Sequence, residues 1–491
     1  MALLSFPELG PRRHHSGAID ALVRQLEPLE KAGLVLRRSQ QDLKRYGRDA
    51  FDYSPVLQEH LRGAAAELAV RPADSGQVEA IAAACACHGV PLTLRGAGTG
   101  NYGQAVPLLG GVVLETTGLD RIRSIGQASF TAEPGCRLQA IDRVLEPHGL
   151  ALRLAPSTYR TATLAGFVAG GSGGIGSVRW GFLRDPGNLL GVEIVTLEPS
   201  PRRLQLDGAA AQPICHAYGT NGIITALTLP VAPLRRWHEL LIGVADLDQA
   251  LALGDTIRQG EIEIRQLALL DRPVAALMPW PEPQGQACRP AAARASCWLV
   301  ALVSEPHLAR MRELVEAAHA DLLLQRPERQ GGGLPLGEIC WNHTTLHARA
   351  VDPGWTYLQL LLPQPEMTAI RQLSMHWGTQ LSWHLEAVCS EGTPRWAAMP
   401  LVRWRGTEAL ERLMRQTVDL GCVLFNPHVI TVEDGGLGGV DAHQVAAKLR
   451  HDPAGLMNPG KLRGWPDAAG HRQGSAAPSG IGLTDGEAAP G

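Results

Sequence analysis

The feature that most restricts how this chain folds is Arg95-Gly-Ala-Gly-Thr-Gly-Asn-Tyr-Gly103, a glycine-rich run that follows the apolar stretch 90–94. Glycines remove side chains and let consecutive amides turn toward one anion. A doubly wound dinucleotide fold requires such glycines to open a helix. Here Gln104-Ala-Val-Pro-Leu-Leu-Gly-Gly111 puts a proline and two glycines where that helix would run. The Rossmann arrangement is therefore excluded, and the run reads as a pyrophosphate nest on a loop, with a plain surface loop as the alternative.

Composition bounds the rest. With 491 residues, 45% hydrophobic and 19% charged, the chain can bury more than one core and is not disordered throughout. A net charge of −3 gives no basic field to attract phosphate backbones, so nucleic acid is not expected as a partner. The nine cysteines are scattered and include no C-x-x-C pair, which argues against a disulfide framework or an iron–sulfur cluster and for a reducing cytoplasm. Cys85-Ala-Cys87-His88 ends a helical pattern and reads as buried thiols rather than as metal ligands. No signal-peptide order opens the sequence. The uncharged stretches 96–114 and 161–178 approach membrane-span length, but each holds six glycines, so both read as loops and strands of a binding site and no transmembrane segment is expected.

The pattern along the chain is α+β. Residues 19–32 have helical apolar spacing stopped by Gly33, and 41–57 form a polar, aromatic-bearing lead-in. Asp74 or Ser75 caps a helix with Val78, Ile81, Ala82 and Cys85 on one face, ending at Gly89. Strands are expected at 90–94, 111–115, 129–133, 190–197 and 223–229, a helix at 138–147, and a glycine-rich region at 166–176. A boundary is expected at 231–236. Beyond it, strands at 239–244, 298–304 and 357–362 alternate with helices at 247–259, 306–324, 366–378 and 407–420. The Gly-, Ala-, Ser- and Pro-rich tail after Trp465 is expected to be disordered.

Thr161-Ala-Thr-Leu-Ala-Gly-Phe-Val-Ala-Gly-Gly-Ser-Gly-Gly174 supplies hydroxyls and accessible amides. Gly219-Thr-Asn-Gly-Ile-Ile-Thr225 precedes a β-branched strand and reads equally as a hairpin turn. Gly455-Leu-Met-Asn-Pro-Gly-Lys461 has Walker A spacing, but Leu462 stands where the hydroxyl belongs and no strand precedes it, so it is not a P-loop.

Together RGAGTG, AEPGC, PSTYRTATLAGFVAGGSGG, GTNGIITALTLPVAP and HDPAGLMNPGK resemble, in wording and order, the vanillyl-alcohol oxidase and p-cresol methylhydroxylase family of FAD enzymes. Within it they are most similar to the D-lactate dehydrogenase and glycolate oxidase branch, over residues 40–235 and 420–465. The resemblance implies a two-lobed FAD-binding domain in residues 1–235, with its core at about 60–235. An α+β cap domain would follow at 236–420, then a segment at 421–465 returning to the FAD domain and the tail at 466–491. By analogy Gly96, Ala97, Gly98, Thr99, Gly100 and Asn101 cradle the pyrophosphate. Pro156, Ser157, Thr161, Thr163, Gly166, Gly170, Ser172 and Gly173 line the diphosphate and flavin. Gly222 and Ile223 meet the adenine side, and Asn458 holds the flavin. The family's covalent histidine would fall near Thr99 and no cysteine lies within 156–166, so the resemblance implies noncovalent FAD.

The sequence also departs from that branch. Where a Gly-Glu-His-Gly segment is usual, this chain reads Val432-Glu-Asp-Gly435, keeping Glu433 but not the histidine. Of the cap's histidine-rich metal motif only His384-Leu-Glu386 remains, and no metal is assigned. In Trp341-Asn-His343-Thr-Thr-Leu-His347 the two histidines share one face of a helix or strand, either pointing into one site or lying as surface or core residues. Arg179 and Arg349 are candidates for a substrate carboxylate, since guanidinium offers a bidentate fork; each alone reads equally as a salt-bridge partner.

The expected function is an FAD-dependent oxidoreductase that moves a hydride from the hydroxyl-bearing carbon of a small substrate, a 2-hydroxy acid of the D-lactate or glycolate type, to flavin. His343, His347 or His384 would take the hydroxyl proton, and Glu433 would orient that base or join a metal site. The alternatives are a noncatalytic or electron-transfer FAD-binding subunit of a larger complex, or an oxidase of another alcohol or a sugar lactone. The acceptor, whether quinone, protein or dioxygen, is not fixed by the sequence, and a homodimer is compatible with it.

Overall fold

The computed structural model describes residues 3–7, 14–171, 173–280, 295–328 and 334–465. The expected tail at 466–491 and the site candidate Ser172 lie outside the described residues. Four sheets organise the chain. The first runs Val35–Arg37, Leu68–Arg71, Val112–Glu115, Leu92–Arg95, with its last three strands parallel. The helix Ser75–His88 supplies the crossover that a parallel pair requires, capped by the Asp74 side chain at its start and by left-handed Gly89 at its end. Val78, Ile81 and Cys85 of that helix pack on Leu68, Leu92 and Leu114.

The second sheet runs Ile122–Ile125, Ser129–Ala132, Ile223–Pro233, Gly191–Val195, Arg203–Asp207, all antiparallel, with Leu150–Leu152 beside the end of the long strand. The third has eight strands, in the order Asp321–Pro327, Trp237–Val244, Cys297–Ser304, Ile264–Asp271, His384–Ser390, Thr393–Ala398, Leu360–Leu361, Val423–Leu424. Its strand Cys297–Ser304 is buried on both faces: Leu299, Ala301 and Val303 enter one core and Trp298 and Val300 another. A continuous apolar run is the pattern such a strand needs. A small sheet of Trp355–Tyr357, Leu401–Arg403 and Leu381–Ser382 completes the set.

Several expectations need correction. The strand expected at 223–229 continues to Pro233, because Val231–Pro233 pair with Leu150–Leu152. The helix expected over 306–324 is helical only at Leu308–Ala317; His319 takes a positive φ of 51° and the apolar triplet 322–324 belongs to the strand Asp321–Pro327. The strand expected at 357–362 is two strands in two different sheets, Trp355–Tyr357 and Leu360–Leu361. In the stretch 161–178, expected as loop and strand, Leu164–Gly170 and Ser177–Trp180 are helical. Cys85 is buried as expected, but Cys87 is exposed, one residue pair too far around the helix to share its face.

Candidate functional site

A cavity of about 350 Å³ opens between the glycine run, the 156–170 segment, Tyr218–Gly219 and the start of the helix Asn342–Val351. That size falls within the roughly 300–1,000 Å³ of small-molecule sites. Gly96 through Asn101 all line it. The amides of Ala97, Gly98, Thr99, Gly100 and Asn101 donate to no protein acceptor among the described residues. Five consecutive free amides at a cavity wall form an anion nest. The glycines are needed for more than flexibility. Gly98 has φ of 71°, and a Cβ there would collide with the Arg95 guanidinium; one at Gly96 would meet the Thr163 hydroxyl and one at Gly100 the Gln104 amide.

Three of the loop's carbonyls, those of Gly100, Gly103 and Gln104, are held by neighbouring segments. Gly100 O accepts from Ala50 N at 2.7 Å. Lys461 Nζ, fully buried, donates to Gly103 O, and Asn458 Nδ2 donates to Gln104 O at 2.9 Å and to Tyr218 O at 2.5 Å. Asn458 thus does not line the cavity but holds two residues that do. Its own backbone joins the end of the first sheet, with Asn458 N on Leu92 O at 2.7 Å. Lys461 faces the buried Asp49, whose carboxylate accepts from Phe51 N and Ala105 N. Burial raises the Asp49 pKa against the pull of Lys461, and burial lowers that of Lys461 against the pull of Asp49. Arg95, also on the cavity wall, donates to Arg48 O at 2.5 Å and lies 5.6 Å from the centroid of the Tyr46 ring.

Other expected cofactor residues divide. Pro156, Ser157, Thr163, Gly166 and Gly170 line the cavity. Thr161 is exposed and binds Thr158 O, while Gly173 sits against Phe182; neither lines it. Gly222 packs against Ile194 and donates to the Met457 sulfur. Ile223 is turned into the first sheet's core, and its neighbour Ile224 faces the cavity instead, because successive strand residues point to opposite faces.

The catalytic candidates divide as sharply. His343 lines the cavity, with Nδ1 on Glu338 Oε2 at 3.0 Å, so Nδ1 carries the proton and Nε2 keeps its lone pair, without a protein partner among the described residues. Burial opposes ionisation of Glu338, but the hydrogen bond from His343 and the charge of Arg160 outweigh it and hold the carboxyl below its ordinary range. His347 lies one turn on, 6.3 Å from His343 between ring centroids, and its Nε2 donates to Glu338 O at 2.8 Å. His384 is not with them. It is fully buried, bound to Glu386 Oε1 at 2.8 Å, in the core beneath the helix. Glu433 is likewise fully buried, and its two oxygens accept from Arg463 N and Gly464 N, pinning the returning segment. Arg179 is paired with Glu263, and Arg349 donates to Pro353 O and Trp355 O; neither lines the cavity. Among the described residues no three His, Cys, Asp or Glu side chains gather as a metal-binding group.

Arg95, Gln104, Tyr53, Tyr218 and Asn342 line the cavity without having been singled out. Arg95 alone carried a signal, as the residue opening the glycine run.

Residues 66–200 match the family described as FAD binding domain. The glycolate oxidase subunit GlcD of Escherichia coli (strain K12) is 33% identical over 207 residues, 40% of this chain and 41% of that protein. A D-lactate dehydrogenase of Anaerostipes hadrus is 29% identical over 194 residues, 38% of this chain and 41% of that protein. The mitochondrial D-2-hydroxyglutarate dehydrogenase of Rattus norvegicus is 27% identical over 173 residues, 33% of this chain and 32% of that protein. The matched stretch thus spans less than half the length of each relative. In structure the chain is similar to alkyldihydroxyacetonephosphate synthase, with a TM-score of 0.69 at 14% identity, covering 94% of this chain and 88% of that one. The chain carries an FAD-binding domain at residues 66–200 and shares its fold with that synthase. The α+β architecture agrees with that fold, and the domain's cofactor is FAD. Among the described residues no helix is long and apolar enough to cross a membrane.

Proposed function

We propose that the chain is an FAD-dependent oxidoreductase acting on the hydroxyl-bearing carbon of a small 2-hydroxy acid, with His343 as the base. The observation that carries this reading is that the nest of free amides and the free Nε2 of a carboxylate-backed histidine face one cavity. Bound FAD supplies the hydride acceptor. The amides of Ala97 to Asn101 bind its diphosphate on a loop whose Gly100, Gln104 and Gly103 carbonyls are already held by Ala50, Asn458 and Lys461. His343 Nε2 takes the hydroxyl proton as the hydride leaves carbon, and Glu338 stabilises the imidazolium that results. Arg160, on Glu338 Oε1 at 3.0 Å, keeps the carboxylate ionised for that role.

Among the described lining residues no cysteine is present and His343 is the one histidine, which supports noncovalent FAD. Residues 1–235 with 421–465 form the cofactor unit and 236–420 the cap in this reading. The test is anaerobic addition of D-lactate, glycolate and an uncharged secondary alcohol to the FAD-loaded chain, following loss of flavin absorbance. Bleaching by a hydroxy acid is the expected result. Bleaching only by the uncharged alcohol replaces the substrate class, and no bleaching with tightly bound FAD favours a noncatalytic flavin subunit.

A further inference from the structure

The displacement of Arg179 and Arg349 from the cavity leaves a substrate carboxylate without the expected guanidinium. Among the described lining residues the other charged side chain is Arg95, behind the glycine run. A neutral donor stands beside His343 instead. Asn342, the first residue of its helix, lines the cavity, and its Oδ1 accepts from Gln359 Nε2 at 3.1 Å. Gln359 Oε1 in turn accepts from the Tyr102 hydroxyl at 2.5 Å. The Tyr357 oxygen nearby accepts from Asn101 Nδ2 at 2.6 Å.

Every link donates toward Asn342. An amide whose oxygen is engaged presents its NH2 on the other side, and Asn342 Nδ2 has no protein partner among the described residues. Such chains polarise one another, so the orientation is set along the whole run rather than by Gln359 alone.

We propose that Asn342 is the substrate-orienting donor of this site, its Nδ2 hydrogen-bonding a carboxylate oxygen of the 2-hydroxy acid while His343 Nε2 faces the hydroxyl. The inference rests on the 2-hydroxy acid reading and adds the residue that distinguishes such a substrate from a plain alcohol. The Gln359–Tyr102 pair is the positioning element.

The test uses oxalate, a dicarboxylate that cannot be oxidised at a hydroxyl carbon, titrated into the FAD-loaded protein and read by the change in visible flavin absorbance. Asn342→Asp keeps the oxygen that Gln359 binds, places a favourable carboxylate in the helix's first turn, and turns only the cavity-facing atom from donor to acceptor. It is expected to weaken oxalate at least tenfold. Asn342→Leu, which removes the donor without adding charge, is expected to weaken it severalfold, as is Tyr102→Phe, which breaks the chain outside the cavity lining. If Asn342→Asp alone weakens binding, the effect is charge repulsion and the proposal falls. If all three variants bind oxalate as the wild type does, the proposal falls while the hydroxy-acid reading stands. If the FAD-loaded wild type neither binds oxalate nor is bleached by D-lactate, both fall together.

Discussion

Residues 95–105 and the helix Asn342–Val351 face the same cavity with opposite materials. The first wall works through backbone: five free amides exposed by glycines, with the carbonyls of Gly100, Gly103 and Gln104 tied down. The second works through side chains, the Asn342 amide and the Glu338-backed His343 imidazole. A backbone wall constrains residue type at every position, since any Cβ at Gly96, Gly98 or Gly100 would strike a neighbour. A side-chain wall constrains only the groups that touch the ligand. The two walls should therefore fail differently when altered.

The largest effect is expected on the side-chain wall. His343→Gln should slow flavin reduction by a 2-hydroxy acid by roughly 10²–10⁴-fold, the usual range for a general base, with FAD affinity unchanged. Stopped-flow bleaching and a fluorescence titration of FAD check the two halves. A loss of FAD binding would break the division of labour.

Next comes the support of the backbone wall. Lys461→Met removes a buried donor from Gly103 O and leaves Asp49 with Arg95 as its remaining nearby cation, which should cost roughly 1–3 kcal/mol of stability in denaturant unfolding, together with loss of bound FAD. The double variant Asp49→Asn with Lys461→Met should recover most of the stability but not the cofactor, because Gly103 O is left with Val106 N alone. Recovery of both would show that only the charge matters.

Gly98→Ala is a smaller change. Its φ of 71° costs an L-residue about 1–2 kcal/mol, and the Arg95 guanidinium must move, so FAD should bind about tenfold more weakly while the reduction rate of the bound flavin holds. Isothermal titration reads the first and stopped-flow bleaching of the loaded variant the second.

The smallest effect is a slope. His428, which props the side-chain wall between Ser54 Oγ at 2.8 Å and Tyr357 O at 2.9 Å, is pushed down to about 4 by burial, against the hydrogen bond to Tyr357 O. A folded pKa below the unfolded value means that the unfolded chain binds the proton first, so its contribution is intact above about pH 6.5 and lost as pH falls toward 4. His428→Gln should therefore flatten the acid side of the stability profile, by up to roughly 1.4 kcal/mol per pH unit in that window. A variant profile parallel to the wild type's would show that His428 is not held neutral.

How much of this was legible in the sequence follows from the same contrast. Gly96 to Asn101 announce themselves because a backbone site needs glycine by type, and Thr163, Gly166 and Gly170 follow from the second run. Asn342 is one asparagine among ordinary residues. Its meaning comes from Gln359 and Tyr102, and Tyr102 and Gln359 are 257 positions apart. Ile223 and Ile224 differ by strand parity, which a one-residue bulge at 224–226 makes harder still to count. His384 and Glu433 looked chemical because buried polar residues and active-site residues share a vocabulary; one is a core dyad, the other a clasp for 463–464. The strands of the third sheet were read best where they are apolar throughout, as at Cys297–Ser304, and missed at His384–Ser390, where buried His384 and Glu386 disguise the pattern.

The clasp between Lys461 and Gly103, 358 positions apart, and the one between Asn458 and Gln104, 354 apart, also bear on how the protein is made. A ribosome delivers the glycine run about 350 residues before its fastening. Until residues 458–461 have been made, the nascent chain holds every amide of the nest but lacks the Lys461 and Asn458 side chains that hold the carbonyls of Gly103 and Gln104. Cofactor capture is thereby placed after residue 461 has been made, and a polypeptide cut short before residue 458 is left with the motif and without the grip.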